Sequence, residues 1–186
     1  MKLTKKLEAE ILKVYNTYWD YYLNGDMKGF ASMLDENCQI IGSAISEVFS
    51  NKKLAVKHYK ATADQVTGKA QFRNREISMM PVDNSILVTE QLDFYVLMDN
   101  QWTFYGHGRL STLFHKKRNK WKVIQQHGSL PDSRTGEGEQ VNTDPIKAEN
   151  LQLRDAIKRR TIELEEKNHE LEIEAALERV RAVAMA

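Results

Sequence analysis

From Gln71 to Leu130 the chain reads QFRNREISMMPVDNSILVTEQLDFYVLMDNQWTFYGHGRLSTLFHKKRNKWKVIQQHGSL. Apolar and polar residues alternate here with a period near two, and the alternation is interrupted at Asp83-Asn84, Asp99-Asn100 and Arg118-Asn119. These pairs are turn signals, so the pattern predicts four long strands joined as antiparallel neighbours. Gly106 and Gly108 stand two apart on the third strand. Glycine inside a strand marks a bend or a close approach, and the sheet is therefore expected to curve.

The residues before this stretch have a different period. Leu7, Ile11, Val14, Tyr15, Tyr18 and Tyr22 recur every three or four positions, which predicts an amphipathic helix from about Thr4 to Asn24. Asn24-Gly25-Asp26 supplies a stop and a new N-cap for a short helix from Met27 to Leu34, with Phe30, Met33 and Leu34 inward. A strand is expected around Cys38-Gln39-Ile40-Ile41-Gly42, beginning after Asn37, followed by a short turn of chain at Glu47-Val48-Phe49. Ser50-Asn51 then caps a third helix from about Lys52 to Val66. An amphipathic helix laid across a curved sheet encloses a cone, and the interior of a cone is where a ligand or a reaction would be housed.

From Ile146 to Ala186 there is no Gly, Pro, Phe, Trp or Tyr, whereas every aromatic ring of those three types lies at or before Trp121. Two physically different objects are joined. With 186 residues, 41% hydrophobic and 28% charged, the chain fits one domain plus an appendage. Residues 1–131 form the domain, long enough to bury about two thirds of its unfolded surface. Residues 132–145, polar and holding Gly136 and Gly138, read as a flexible linker, and residues 146–186 as a coiled-coil signalling helix. Asp144-Pro145 reads as an N-cap and a first-turn proline.

The formal net charge of +1 gives no electrostatic reason to expect nucleic acid or an anionic membrane as partner. The basic run from His115 to Lys120 reads as a solvated hairpin turn. A lone Cys38 excludes an internal disulfide, fits a reducing compartment, and reads as a small buried hydrophobe. No stretch has the signal-peptide pattern or approaches the roughly 18 apolar residues of a membrane span, so a cytoplasmic location is expected.

The order helix, helix, strand, helix, four long strands resembles the nuclear-transport-factor-2-like superfamily. Ile40-Ile41-Gly42-Ser43, Glu47-Val48-Phe49 and the closing run from Trp121 to Pro131 resemble its SnoaL-like branch. The resemblance implies an α+β fold: a cone-shaped, curved, mostly antiparallel sheet packed on N-terminal helices, cystatin-like or SnoaL-like, here with a long coiled-coil helix added at the C-terminus. The superfamily includes isomerases, cyclases, dehydratases, a kinase association domain and ligand-sensing modules, so fold alone names no activity.

Strand alternation proposes which side chains line the cone. One assignment puts Gln91, Asp93 and Tyr95 inside from the second long strand. Tyr105, His107 and Arg109 come from the third and His127 from the fourth, facing Tyr15 and Trp19 of the first helix. Such a lining suits a small polar or anionic ligand, with Arg109 as charge partner and Tyr95 as donor. The other assignment turns these rows outward and the apolar rows in.

An isomerase-type site would need an aspartate base with a tyrosine and a protonated acid about the oxyanion. Tyr15, Tyr18, Asp20, Asp35 and Asp93 are available, yet none matches the family's catalytic positions by motif, and Asp93 or His107 is the base if the chain is an enzyme. His107, His115 and His127 lack zinc-site spacing, and no cofactor or metal is expected.

In the tail, Ile157, Leu164 and Leu171 repeat every seven residues, interleaved with Thr161, Asn168 and Ala175. With the first set at d and the second at a, Asn168 is the residue type that selects a parallel dimer in register. After Leu171 the apolar set Ile173, Leu177, Val180 and Ala184 falls out of phase. The run from Glu163 to Ala182 resembles the linker before output domains in bacterial sensor histidine kinases, particularly those of Bacteroidetes. Together these features lead us to expect a homodimeric sensory module for a small ligand, continued in a longer protein beyond Ala186. The alternatives are an isomerase, dehydratase or cyclase, and an oligomerisation hub without ligand.

Overall fold

A computed structural model describes residues 2–132, 135 and 143–184, of which 173–184 are described through their backbone alone. The chain divides into two compact units, Met1–Pro131 and Asp132–Ala186.

In the first unit α1 spans Lys5–Leu23, with the Thr4 hydroxyl accepting the Leu7 N–H as its N-cap, and α2 spans Met27–Met33, capped by Asp26. Strand β1 covers Leu34–Ile41, β2 Val48–Phe49, and α3 Lys52–Val66 behind the N-cap Asn51. Four long strands follow: β3 Ala70–Val82, β4 Ser85–Met98, β5 Gln101–Lys117 and β6 Lys120–Ser129. The sheet order is β2-β1-β6-β5-β4-β3. Strand β1 runs parallel to β6, while all other neighbours are antiparallel. Asp99, Asn100, Arg118 and Asn119 all have positive φ, the backbone of two-residue hairpins that match strand twist.

Two local readings change. Strand β1 begins at Leu34, where the helix had been expected to end, because Leu34 takes an extended backbone and drops its side chain into the core. Val48–Phe49 is a paired strand lying on Ile40 and Ile41, where a turn of chain was expected.

The core is aromatic. Tyr15, Tyr18 and Trp19 of α1 meet Phe30 of α2, Tyr59 of α3 and Phe114 of β5, mostly edge to face, an arrangement that places ring hydrogens against a negative π face. Cys38 is fully buried among them, and burial pushes its thiol up to about 11.

Three bulges determine which strand residues face this core. Residues Asn74 and Arg75 occupy the space opposite Leu92, with Asn74 at φ 49°. Tyr105 is left unpaired between Phe104 and Gly106, and Ile124 between Val123 and Gln125. An extra residue in one strand reverses the alternation beyond it.

The second unit contains α4, Asp144–Ala184. Its first residue is Asp144 and not Pro145, and the Lys147 N–H bonds back to the Thr143 carbonyl, so Thr143 occupies the cap position expected of Asp144. Most of the expected linker lies outside the described residues.

Candidate functional site

The cone encloses a cavity of about 260 Å³. Tyr18, Trp19 and Tyr22 enter it from successive turns of α1, with Phe30 from α2 and Tyr59 from α3. From the sheet come Phe72, Leu92, Phe94 and Leu110, with Tyr105 at the exposed margin. Gly108 and Gly128 leave room where a side chain would fill it: a Cβ at Gly108 would lie 3.0 Å from Leu92, and one at Gly128 3.2 Å from Leu110. Polar atoms are few. Among the described residues the hydroxyls of Tyr18, Tyr22, Tyr59 and Tyr105 and the carboxamide of Gln126 have no hydrogen bond within the protein. Burial holds the Tyr18 and Tyr59 hydroxyls well above the ordinary phenol range and pushes Tyr22 up to about 12. These phenols stay protonated donors across the physiological range.

Glu47 is the one lining residue with a formal charge among those described. Its carboxylate accepts the Ala44 N–H at 3.1 Å, which closes the loop after β1, and its other oxygen lies 3.4 Å from Nε2 of His58. Its charge is the second cause, after burial, of the raised Tyr22 and Tyr59 hydroxyls.

Beside this cavity a second polar assembly reaches from the surface into the core. Glu90, only 2% exposed, accepts the Tyr15 hydroxyl at 2.6 Å and a two-pronged contact from Arg75, one prong from Nε and the other from Nη2 at 3.2 Å. Arg75 is held in turn by Asn16 at 3.1 Å. Burial, then the Glu90 charge, drives the Tyr15 hydroxyl far above its ordinary value. Trp19 presents an indole N–H with no hydrogen-bond partner among the described residues.

The expected lining is met only in part. Trp19 and Tyr105 line the cavity, whereas Tyr15 lies behind it, bonded to Glu90. Gln91, Asp93, Tyr95, His107, Arg109 and His127 occupy the opposite face of the sheet, because the row of β4 that carries Ile86, Val88, Glu90 and Leu92 is the buried one. Tyr105 had been grouped with His107 and Arg109, but the bulge turns it to the cavity and leaves Phe104 outside against Tyr95 and His107. On β6 the bulge at Ile124 likewise separates Trp121 and Val123, which face inward, from Gln125 and His127, which do not.

Asp93 and His107, the bases proposed for an enzyme, bind each other at 2.8 Å on that outer face. The Asn74 amide, then His107, holds the Asp93 carboxyl below its ordinary range. Their side chains are thus paired to one another, away from the cavity. Among the described residues no group of three or more His, Cys, Asp or Glu is gathered for a metal ion.

Sequence reasoning had Tyr18 only among the residues available to an isomerase-type site and passed over Glu47, Tyr22, Tyr59 and Gln126, and also Glu90 with Arg75. One signal was available: Glu90 is a lone carboxylate in an otherwise apolar row.

A model of the SnoaL-like domain matches residues 11–133. The chain belongs to the SnoaL-like family. Solved structures similar to this SnoaL-like chain include an NTF2-like protein of unknown function from Pseudomonas putida, with TM-score 0.61, 16% identity, and coverage of 77% of this chain and 98% of that one. A protein of unknown function with a cystatin-like fold from Nostoc punctiforme gives TM-score 0.58 and 15% identity over 72% and 97% of the two chains. A "putative dehydratase from the NTF2-like family" of Streptomyces avermitilis gives 0.59 and 13% over 70% and 100%. At these identities the likeness establishes the fold alone. No curated protein matches the sequence. Among the described residues no helix is long and apolar enough to cross a membrane.

Proposed function

We propose that this SnoaL-like chain is a small-ligand-binding sensory module, whose cone takes the ligand and whose C-terminal helix pairs with a second copy to carry the state of the cone to an output domain. The observation that carries the binding half is the aromatic cavity with phenol hydroxyls that have no partner among the described residues. Unpaired hydroxyls around an apolar space are what an oriented ligand requires, since a few directed polar contacts in an apolar pocket supply specificity. The signalling half rests on α4. In the single chain Ile157, Leu164 and Leu171 are 64%, 49% and 54% exposed, and Thr161 and Asn168 are exposed too, so α4 does not cover its own heptad seam. Ala175 and the out-of-phase set after Leu171 lie outside the residues whose side chains are described. The likeness of the tail to linkers of bacterial sensor kinases supplies the direction of the reading. A ligand shifts a helix-pairing equilibrium only if it binds the two states unequally.

Titration of the full chain with benzyl alcohol, followed by tryptophan fluorescence, tests the binding half. Saturable binding is expected, and Gly128→Leu, which fills the cavity, should weaken it at least tenfold. Binding that survives the filled cavity unchanged would move the ligand elsewhere.

A dehydratase-like activity is favoured by one observation, an acidic residue, Glu47, in the wall of the cavity. It would then be Glu47, and not Asp93 or His107, that acts as base, and loss of turnover in Glu47→Gln with ligand affinity retained would favour that reading.

A further inference from the structure

The character of the cavity wall restricts its ligand further. Lining residues from two helices and two strands present π faces or edges: Tyr18, Trp19, Tyr22, Tyr59, Phe94 and Tyr105. The face of an aromatic ring is the negative part of its quadrupole and attracts a desolvated cation within about 6 Å of the centroid. The one formally charged lining residue is a carboxylate, Glu47, and no Lys or Arg is among the described residues that line the space. The residue beside Glu47 able to carry positive charge is His58, 3.4 Å away and not itself in the lining. The arginine expected to meet an anion, Arg109, is exposed on the far face of the sheet.

From this wall we propose that the ligand is a small organic cation, an alkylammonium or arylalkylammonium, with its charged head toward Glu47 and its apolar part among the rings. The geometry agrees with this polarity. Glu47 is, after burial, the second cause of the raised Tyr22 and Tyr59 hydroxyls, so its charge lies near the rings. The free hydroxyls of those same tyrosines also have lone pairs to offer an ammonium N–H, whereas a quaternary head would need only the rings and the carboxylate. An anion would meet a like charge against an apolar wall, where Coulomb repulsion is stronger than in bulk water.

The inference rests on the cavity being a ligand site, and the test separates the two claims. Choline and 3,3-dimethylbutan-1-ol have the same shape and differ in carrying nitrogen or carbon at the head. Each is titrated into the full chain by calorimetry at pH 8. Choline is expected to bind at least tenfold tighter than the alcohol. Glu47→Gln should reduce choline affinity about tenfold and leave the alcohol unchanged, with the thermal midpoint recorded to establish folding. Because Glu47 also closes the loop after β1, Tyr22→Phe serves as a second variant that keeps the loop contact and the ring: choline affinity should change less than about twofold, and a loss of about tenfold would overturn the placing of the head at Glu47. Equal or tighter binding of the alcohol would overturn the cation assignment and leave the ligand site standing. If neither these probes nor benzyl alcohol binds, both claims fall together.

Discussion

Glu90 holds the most consequential single position in the core. A carboxylate taken out of water costs several kcal/mol unless its oxygens are matched, and here Arg75 and the Tyr15 hydroxyl match them. Removing one partner leaves the charge in place without its counter-charge. Arg75→Met is therefore expected to destabilise the chain by about 3–5 kcal/mol in urea unfolding. The double variant Arg75→Met, Glu90→Leu should recover most of that loss, because no buried charge then remains. A cost below about 1 kcal/mol for the single variant would mean that Tyr15 and Asn16 suffice to hold the carboxylate. Tyr15→Phe removes a donor but no charge, and a smaller loss of about 1–3 kcal/mol is expected.

At the level of elements, the boundaries were largely legible in the sequence. Thr4, Asp26 and Asn51 cap the three helices of the first unit through their own side chains, and each is a residue type selected for that geometry. The turns fell where Asp-Asn and Arg-Asn pairs accept positive φ. The lining was far less legible, because alternation carries information only while pairing continues without interruption. One unpaired residue at Tyr105 and another at Ile124 reversed the rows of β5 and β6, and neither has a glycine or proline of its own to announce it. Gly106 hinted at the first, yet its meaning was read as curvature and not as a change of face. On β4, which keeps its register against β3 from Glu76 to Val82, both rows were read correctly, and the choice between them turned on whether Glu90 could be buried. It can, because the bulge at Asn74 directs Arg75 toward it, a pairing that no local pattern displays.

The helix α4 carries its own prediction. An Asn at a core a position selects register and parallel pairing at a cost in stability. Asn168→Leu should therefore strengthen dimerisation at least tenfold in sedimentation equilibrium of the full chain, and Leu164→Asp should abolish it. Dimer affinity unchanged in Asn168→Leu would place that residue outside any helix interface.

For the first unit as a whole, the concentration of buried phenols sets an alkaline limit. Tyr15, Tyr18, Tyr22 and Tyr59 all have hydroxyls raised by burial above the ordinary value near 10. A group whose folded value is raised contributes its full stability below the unfolded value and loses it as pH climbs toward the folded one. Stability should thus be level up to about pH 10 and fall steeply from there toward 12, the value reached by Tyr22. Circular dichroism recorded together with tyrosinate absorbance checks this. The two signals should change together, whereas titration of all seven tyrosines with the fold intact would show that the core admits phenolate. Tyr22→Phe should shift the transition upward.

The parallel pairing of β1 with β6 bears on the order in which the molecule is assembled. During synthesis Leu34 leaves the ribosome long before Val123, its partner in the sheet, whereas β3, β4, β5 and β6 each find a neighbour across a two-residue turn. The hairpins can zip locally, but β1, apart from its two-residue pairing with β2, has no long strand to join until the last strand has been made. Through that interval Leu34, Cys38 and Ile40, the side chains that β1 sends into the core, lack the strand that holds β1 in the sheet. A nascent chain stalled before Trp121 is accordingly the species that a holdase chaperone should meet.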